Sequence, residues 1–516
     1  MDLRRRDALR LFGLGAVALG PMAAVAGCST AGASEARLLP SEVPLPQPFT
    51  SGLRIPSVLQ PAPDGGDKST DFYDMVVRPA DVQILPGLST TIWGYDGQFP
   101  GPTLRARRGR RVVLRQSNEL PVPIATHLHG GRTPPEADGY PTDLTMPAAG
   151  GFVPHHMNDP MAKVTTGSRS YEYPFEQRAS TLWYHDHRMD FTGPQVWRGL
   201  AGFCLVGDEE EDALPLPKGD KDIPLMICDR SFGADGQFRY PALDATLREA
   251  PGVQEEYGGG VLGDVILVNG SPWPVHEVAG TRYRFRLLNA SNARRYELAL
   301  EAPSGSLGFV QIGSDGGLLA APVPRQTITL APAERVDVVI DFGGVRIGDA
   351  ITMVNKAAGG AQGQIMRFLV ARAETDDSAI PPRLSEIERL DPAQAVVTRE
   401  FSFKSGEVGG HSGWTVNENP FDPSRMDARP ALDSIEVWRI STDVEHPIHL
   451  HLVHFQVLSV GGKAVDIPGW KDTLDLGAVK TAEIIMRFSG YRGRYVFHCH
   501  NLEHEDMAMM GNFEVV

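Results

Sequence analysis

Eight histidines of this chain come as four His-X-His pairs: His127-Leu128-His129, His185-Asp186-His187, His449-Leu450-His451 and His498-Cys499-His500. On an extended strand, residues i and i+2 point to the same face, roughly 7 Å apart. Each pair therefore presents two imidazoles to one side, where they can serve two neighbouring ions. Two pairs lie in the first half of the chain and two near its end. A fold that gathers all four must bring distant strands together.

Cys499 sits between two of these histidines, with His504 and Met509 downstream and His446 three residues before His449. Two imidazoles, one thiolate and a weak axial thioether are the parts of a blue-copper electron-transfer site. Eight further imidazoles suit three more ions, two with three nitrogens each and one with two. Cys499 is covalently next to His498 and His500, so an electron arriving at its sulfur has a short peptide path on either side. Imidazole suits several metals, but one thiolate with a distant thioether narrows the choice to copper. Reading His-Cys-His as a zinc site explains four ligands and leaves eight unexplained. Met507 and Met510 flank Met509 and read as core residues.

These motifs resemble those of multicopper oxidases, and the resemblance covers nearly the whole mature chain. FHCHNLEHEDMAMM is similar to the bilirubin oxidase and spore-coat laccase branch. STLWYHDH, GLAGF and the HLHGG…DGYP stretch are also similar to phenoxazinone synthase. The resemblance implies four copper ions. His446, Cys499, His504 and Met509 would hold the type 1 copper, and His127 and His449 the type 2 copper. His129, His185 and His500 would hold one copper of the type 3 pair, and His187, His451 and His498 the other. It implies an oxidase passing electrons from a reductant, at an exposed edge of His504 or His446, to O2. Asp138 and Glu505 match acids that serve the family as proton relays.

The fold expectation starts from alternation. Tyr283, Phe285 and Leu287 alternate with arginines, and Val336, Val338, Ile340 and Phe342 share one face with Asp337 and Asp341 opposite. Ser434–Ile440 and Glu483–Phe488 are similar runs. Period two at this density indicates antiparallel β-sandwiches. Gly207–Pro224 and Ala373–Ala395 read as linkers, leaving β segments at 69–207, 218–372 and 396–516. Periodicity gives an all-β chain of about three units; the resemblance makes them three cupredoxin-like Greek-key domains. The first and last would carry the ligands, with the middle one a spacer.

The chain's 49 Lys and Arg against 64 Asp and Glu give a net charge of −15, which argues against a nucleic-acid partner. Residues 1–27 read as a twin-arginine-like export signal, with Arg4-Arg5-Arg6 ahead of an apolar stretch. Val25-Ala26-Gly27-Cys28 reads as a lipoprotein box, which predicts an extracytoplasmic chain anchored to the membrane through lipidated Cys28. Residues 28–68 read as a tether. Cys204 and Cys228 fit either a disulfide or two buried thiols, since strand register is not legible. Met146, His155, His156, Met157 and Met161 are scattered residues of a loop. Nothing in the sequence fixes an oligomeric state.

The expected partners are O2 and a small organic reductant, a phenol, aminophenol or bilirubin-like pigment. The axial Met509 predicts a modest potential suited to such donors. The alternative reductant is Mn(II), Fe(II) or Cu(I). Copper-efflux oxidases carry a methionine-rich insert before the third domain, and Ala373–Asp433 holds only Met426. A copper-free scaffold of the same fold would lack ligands, and this chain keeps all twelve.

Overall fold

The structure, a computed structural model, describes residues 35–516 apart from 63–66, 68, 153–158, 304, 466 and 478. The export signal, Cys28, the start of the expected tether and the His155-His156-Met157 cluster lie outside the described residues. The described chain is almost all β. Its α-helices among the described residues are three short ones, Thr192–Trp197, Glu209–Asp212 and Leu502–Asp506.

Three pairs of sheets follow one another along the chain. The first pairs a sheet of Thr90–Tyr95, Thr70–Val82, Arg111–Asn118 and Ser168–Tyr173 with one of Gly101–Arg107, Ala201–Gly207, Ser180–Asp186 and Thr126–His129. The middle pair draws its strands from Asp222–Phe232 through Gln364–Arg372. The third joins a sheet centred on Ile435–Thr442 and Thr481–Arg487 to one of Thr473–Asp475, Pro447–Leu450, Gly493–Cys499 and Met510–Val515. The alternating runs of the sequence become core strands. Tyr283, Phe285 and Leu287 pack with Val336, Val338, Ile340 and Phe342 in the middle core.

The opposite face of that strand departs from the usual polar-out pattern. Arg284 and Arg286 are buried, not solvated. Glu211 bridges them at 2.9 and 3.0 Å, Asp222 meets Arg286 at 2.7 Å and Asp337 meets Arg284 at 2.5 Å. The expected linker Gly207–Pro224 supplies two of these acids. Asp208 caps the helix Glu209–Asp212 by accepting from the Glu211 N–H, which aims Glu211 at the arginines. Burial alone would raise the Glu211 pKa, but the two guanidiniums outweigh it and hold it at about 2.

The tether reading is corrected over most of its described length. Arg37–Leu39 forms a parallel ladder with Val261–Gly263, and Leu39 is buried. Val43, Leu45, Phe49 and Leu53 lie against the middle core, and Leu59 joins the first. Prolines suggest an extended chain but do not decide whether it docks; here a spaced set of apolar residues binds open sheet edges. Cys204 and Cys228 are free buried thiols in separate cores, the first and the middle.

Leu39→Ala is expected to destabilise the protein by about 2–5 kcal/mol, as for other buried leucines. Chemical denaturation measures it; an unchanged midpoint would mean that this segment is a tether after all.

Candidate metal centres

The pleat explains how the histidines reach one space. In Thr126–His129, Leu128 enters the first core, so His127 and His129 face the other way. In Ser180–Asp186, Leu182 and Tyr184 enter that core while Trp183 and His185 share the opposite face. The two strands pair antiparallel with His185 opposite His127 and Trp183 opposite His129. In the third sandwich Ile448 and Leu450 point inward, and His449 lies opposite His498. Tyr495, Phe497 and Cys499 enter the third core, so His498 takes the other face. The outward faces of the two histidine-bearing sheets meet. His129 stacks on His449 with ring centroids 3.6 Å apart, and His127 on His451 at 3.8 Å.

Four groups of His and Cys ligand atoms result, beside a fifth that joins His127 and His451 to Asp138. His446, Cys499 and His504 form one. Their facing atoms are Nδ1, Sγ and Nδ1, with the nitrogens 3.0 Å apart and the sulfur 3.4 and 3.7 Å from them. Met509 is buried in the same core, and its carbonyl accepts from the Cys499 N–H at 3.1 Å. The others are His187–His451–His498, His129–His185–His500 and His127–His129–His449, with ligand atoms within 4.8 Å in each. The structure thus brings the eleven histidine and cysteine residues singled out in the sequence to two neighbouring places, with Met509 in the core that holds Cys499. Met510 packs beside Tyr140 and Val496, and His454 donates to the Gly130 carbonyl instead of joining a group.

The donor set fits bound cations. His127 Nε2, His129 Nδ1, His185 Nε2, His449 Nε2 and both His500 nitrogens are buried with no hydrogen-bond partner among the described residues. Leaving such an atom unpaired costs about 1–3 kcal/mol, and a metal ion removes that cost. The remote nitrogens are held by the protein. His127 Nδ1 donates to the Asp138 carbonyl at 2.6 Å, His185 Nδ1 to the Asp186 carbonyl at 2.9 Å and His449 Nδ1 to the Asp472 carbonyl at 2.9 Å. This fixes the tautomer and leaves each Nε2 lone pair facing the cluster. The Asp138-Gly139 turn lies close on the His127 strand; Gly139 has φ +79°, and a Cβ there would strike the Thr126 carbonyl.

Electrostatics favour neutral rings. Burial pushes the histidine pKa values down, to about 3 for His185 and about 4 for His187. Burial also pushes the Cys499 thiol up. A metal-free pocket therefore keeps the thiol protonated, and metal binding has to displace its proton. Asp138 and Glu505 are fully buried, not solvated loop acids. Asp138 Oδ2 accepts from His451 Nδ1 at 2.7 Å. Glu505 lies 3.3 Å from His187 Nδ1 and 3.1 Å from His498 Nδ1 and accepts from Thr192 Oγ1 at 2.6 Å. Burial raises the Asp138 pKa well above the usual carboxylate range. At Glu505 burial acts the same way, but the neighbouring histidines reverse it and hold the carboxyl low.

Two expectations are corrected. Neither His446 nor His504 presents an exposed edge, at 0 and 1 % accessible. Trp414 lies over His504 with ring centroids 3.8 Å apart and donates to the Gly258 carbonyl at 3.1 Å. Asp443, itself 26 % exposed, lies over His446 and accepts from its Nε2 at 3.1 Å. The middle segment is also more than a spacer, since Gly258 roofs this centre and Arg335 reaches Asp472 beside His129. Trp414, Asp443 and Asp472 carried no signal in sequence because each is defined by partners from other stretches.

In the metal-stripped chain, these rings contribute to the response to acid with a definite sign. Unfolded histidine titrates near 6.5, whereas folded His187 and His185 titrate at about 4 and about 3. Between roughly pH 6.5 and pH 4 the unfolded chain binds protons that the folded one refuses, so stability falls as pH falls. Because buried Asp186 and Glu503, both raised to about 7, act in the opposite direction, the test compares wild type with His187→Gln: the variant's denaturant midpoint should fall less across that window, and an equal or steeper fall contradicts it.

The sequence profile of the family described as Multicopper oxidase matches residues 76–211 and 390–516. The chain is 35% identical to a laccase of Bacillus stratosphericus over 91% of its own length and 99% of that protein's. It is 34% identical to a bilirubin oxidase of Albifimbria verrucaria, over 90% and 81%. Among solved structures, a laccase from Pediococcus acidilactici superposes with a TM-score of 0.77 at 29% identity, covering 93% of this chain and 96% of that one.

Proposed function

The chain belongs to the multicopper oxidase family and is an oxidase with oxygen as acceptor; on that premise we propose that it couples one-electron oxidation of small organic reductants to four-electron reduction of O2 to water. The observation that carries this reading is the arrangement at residues 498–500. Cys499 faces the His446–His504 group, while its neighbours His498 and His500 belong to the histidine groups on the other side. One short stretch of backbone thus links the two centres.

The proposed ligand sets are those the family resemblance implies. His446, Cys499, His504 and Met509 hold a type 1 copper, His127 and His449 a type 2 copper. His129, His185, His500 and His187, His451, His498 hold the type 3 pair. When bound, these ions supply one-electron transfer at the thiolate centre and oxygen reduction at the three-ion cluster. The protein's own part is positioning and protons. A reductant meets Asp443, the exposed group over His446, and not a bare imidazole; Trp414, which covers His504, is itself buried. Four protons must accompany four electrons, and two carboxylates are in place. Asp138 Oδ1 has no hydrogen-bond partner among the described residues and is free to carry a proton, while Oδ2 holds His451. Glu505 reaches the two rings His187 and His498 from the opposite side.

Organic donors are favoured by the laccases and bilirubin oxidase among the relatives, while the single methionine in Ala373–Asp433 counts only against the copper-efflux subtype. Export by the twin-arginine-like signal and lipid attachment at Cys28 rest on the sequence at residues 1–28 and belong to the same proposal.

The purified protein should consume O2 with phenols, aminophenols or bilirubin faster than with Mn(II), Fe(II) or Cu(I). The reverse order would replace the organic reading with a metal-ion one. Asp138→Asn should slow O2 reduction about 10²-fold or more, in the range of a positioned proton donor, and leave the blue absorption in place. Unchanged turnover would remove Asp138 from the reaction. Met509→Leu should raise the potential of the blue centre in a redox titration; a fall or no change counts against Met509 as axial ligand.

A further inference from the structure

We propose that Arg335, from the middle sandwich, is a positioning residue for the three-ion cluster: by gripping Asp472 it decides which nitrogen of His129 faces the metal. The proposal rests on the copper reading above.

His129 is turned the opposite way to its neighbours. His127, His185 and His449 give Nδ1 to backbone carbonyls and leave Nε2 unpartnered. In His129 it is Nδ1 that is unpartnered, while Nε2 lies 3.1 Å from Asp472 Oδ1 and 3.2 Å from Thr473 Oγ1. A neutral imidazole carries one N–H and one lone pair, and the hydrogen bond made by one nitrogen sets the role of the other. A carboxylate only accepts. Asp472 therefore takes the N–H at Nε2 and leaves the Nδ1 lone pair pointing at the cluster.

Asp472 is not free to turn. Arg335 donates to both of its oxygens, at 2.7 Å to Oδ1 and 2.5 Å to Oδ2, in the planar fork that matches a carboxylate. Thr473 Oγ1 adds a third hydrogen bond to Oδ1 at 2.9 Å. Arg335 is fully buried and anchored in turn. Its Nε donates to the Thr181 carbonyl at 2.9 Å, on the strand that carries His185. Its backbone N–H donates to Asp315 Oδ1 at 2.8 Å, and Asp315 Oδ2 receives Lys471 at 2.9 Å. One guanidinium therefore touches all three sandwiches and ends on the carboxylate that holds a candidate ligand. The chain also makes room for it. Gly130, directly after His129, has φ +81°, and a Cβ there would sit 2.5 Å from Arg335 and 2.8 Å from Asp472.

A plain structural clamp would share this geometry, so the test separates the two roles. The full chain is loaded with copper as wild type, Arg335→Met, Arg335→Lys, Asp472→Asn and Arg286→Met. Arg286 is another buried arginine at a junction of sandwiches and has no contact with Asp472. Copper affinity is read by chelator competition, the centres by electron paramagnetic resonance and absorption, and stability by melting. Arg335→Met and Asp472→Asn should keep the blue band and bind cluster copper about 10–100-fold more weakly. An amide at 472 puts an NH2 donor where Oδ2 now accepts from Arg335 and removes the charge, so the fork is lost; this variant, which keeps the side-chain volume, carries the test if Arg335→Met does not fold. Arg335→Lys keeps the charge without the fork and should lie between. Arg286→Met should melt earlier with cluster affinity unchanged. Unaltered affinity and spectra in both Arg335→Met and Asp472→Asn would overturn the proposal. So would an equal copper loss in Arg286→Met, which would reduce Arg335 to a clamp. A wild-type chain that takes up no copper would overturn the copper reading, and this inference with it.

Discussion

A group of buried imidazoles whose free nitrogens have no hydrogen-bond partner among the described residues is the constraint on which the rest of this structure depends. His127, His129, His185, His449 and His500 all carry such atoms. Stacked rings from opposite ends of the chain, 3.6 and 3.8 Å apart, bring these lone pairs together. The protein cannot relieve this by protonation, because burial drives the ring pKa values down. It cannot relieve it by solvation, because the rings are inaccessible. Cations are the remaining remedy. The fold is thus suited to completion by bound cations, which would tie the first and third sandwiches together.

The surrounding ions follow from the same geometry. Bringing three sandwiches together traps charged side chains at their junctions, where an unpaired charge would cost several kcal/mol. Three of the trapped arginines show how such charges are answered. Glu211 and Asp222 meet Arg286, Asp337 meets Arg284, and Asp472 meets Arg335. Because such pairs hold well only in good geometry, they also fix how the sandwiches sit. The middle sandwich contributes to both centres in this way, roofing one with Gly258 and steadying the other through Arg335.

Much of this was legible in the sequence, for a physical reason. Strand periodicity and His-X-His spacing are local, and local pattern decides which face a side chain takes. The facing of Cys499 against His498, and of Tyr283, Phe285 and Leu287 against the intervening arginines, could be read residue by residue. What these faces would meet could not. Arg284 and Arg286 look solvent-facing until a linker places Glu211 over them. The proline-rich stretch before residue 62 looks free until the edge at Val261–Gly263 captures Arg37–Leu39. His504 looks accessible until Trp414 and Gly258, from two other stretches, close over it. The acids divide along the same line. Family motif located Asp138 and Glu505, whereas Asp472 belongs to no motif and gains its role from Arg335, 137 positions earlier.

The register around Cys499 also limits how such a chain can vary in evolution. Tyr495, Phe497 and Cys499 occupy one side of their strand and Val496 and His498 the other. Exchanging one residue type for another leaves that order intact. Inserting or deleting a single residue between Phe497 and His500 would turn sulfur and imidazole to each other's side at once. Divergence here can therefore proceed by substitution but not by change of length, and length changes should collect in the loops before His446.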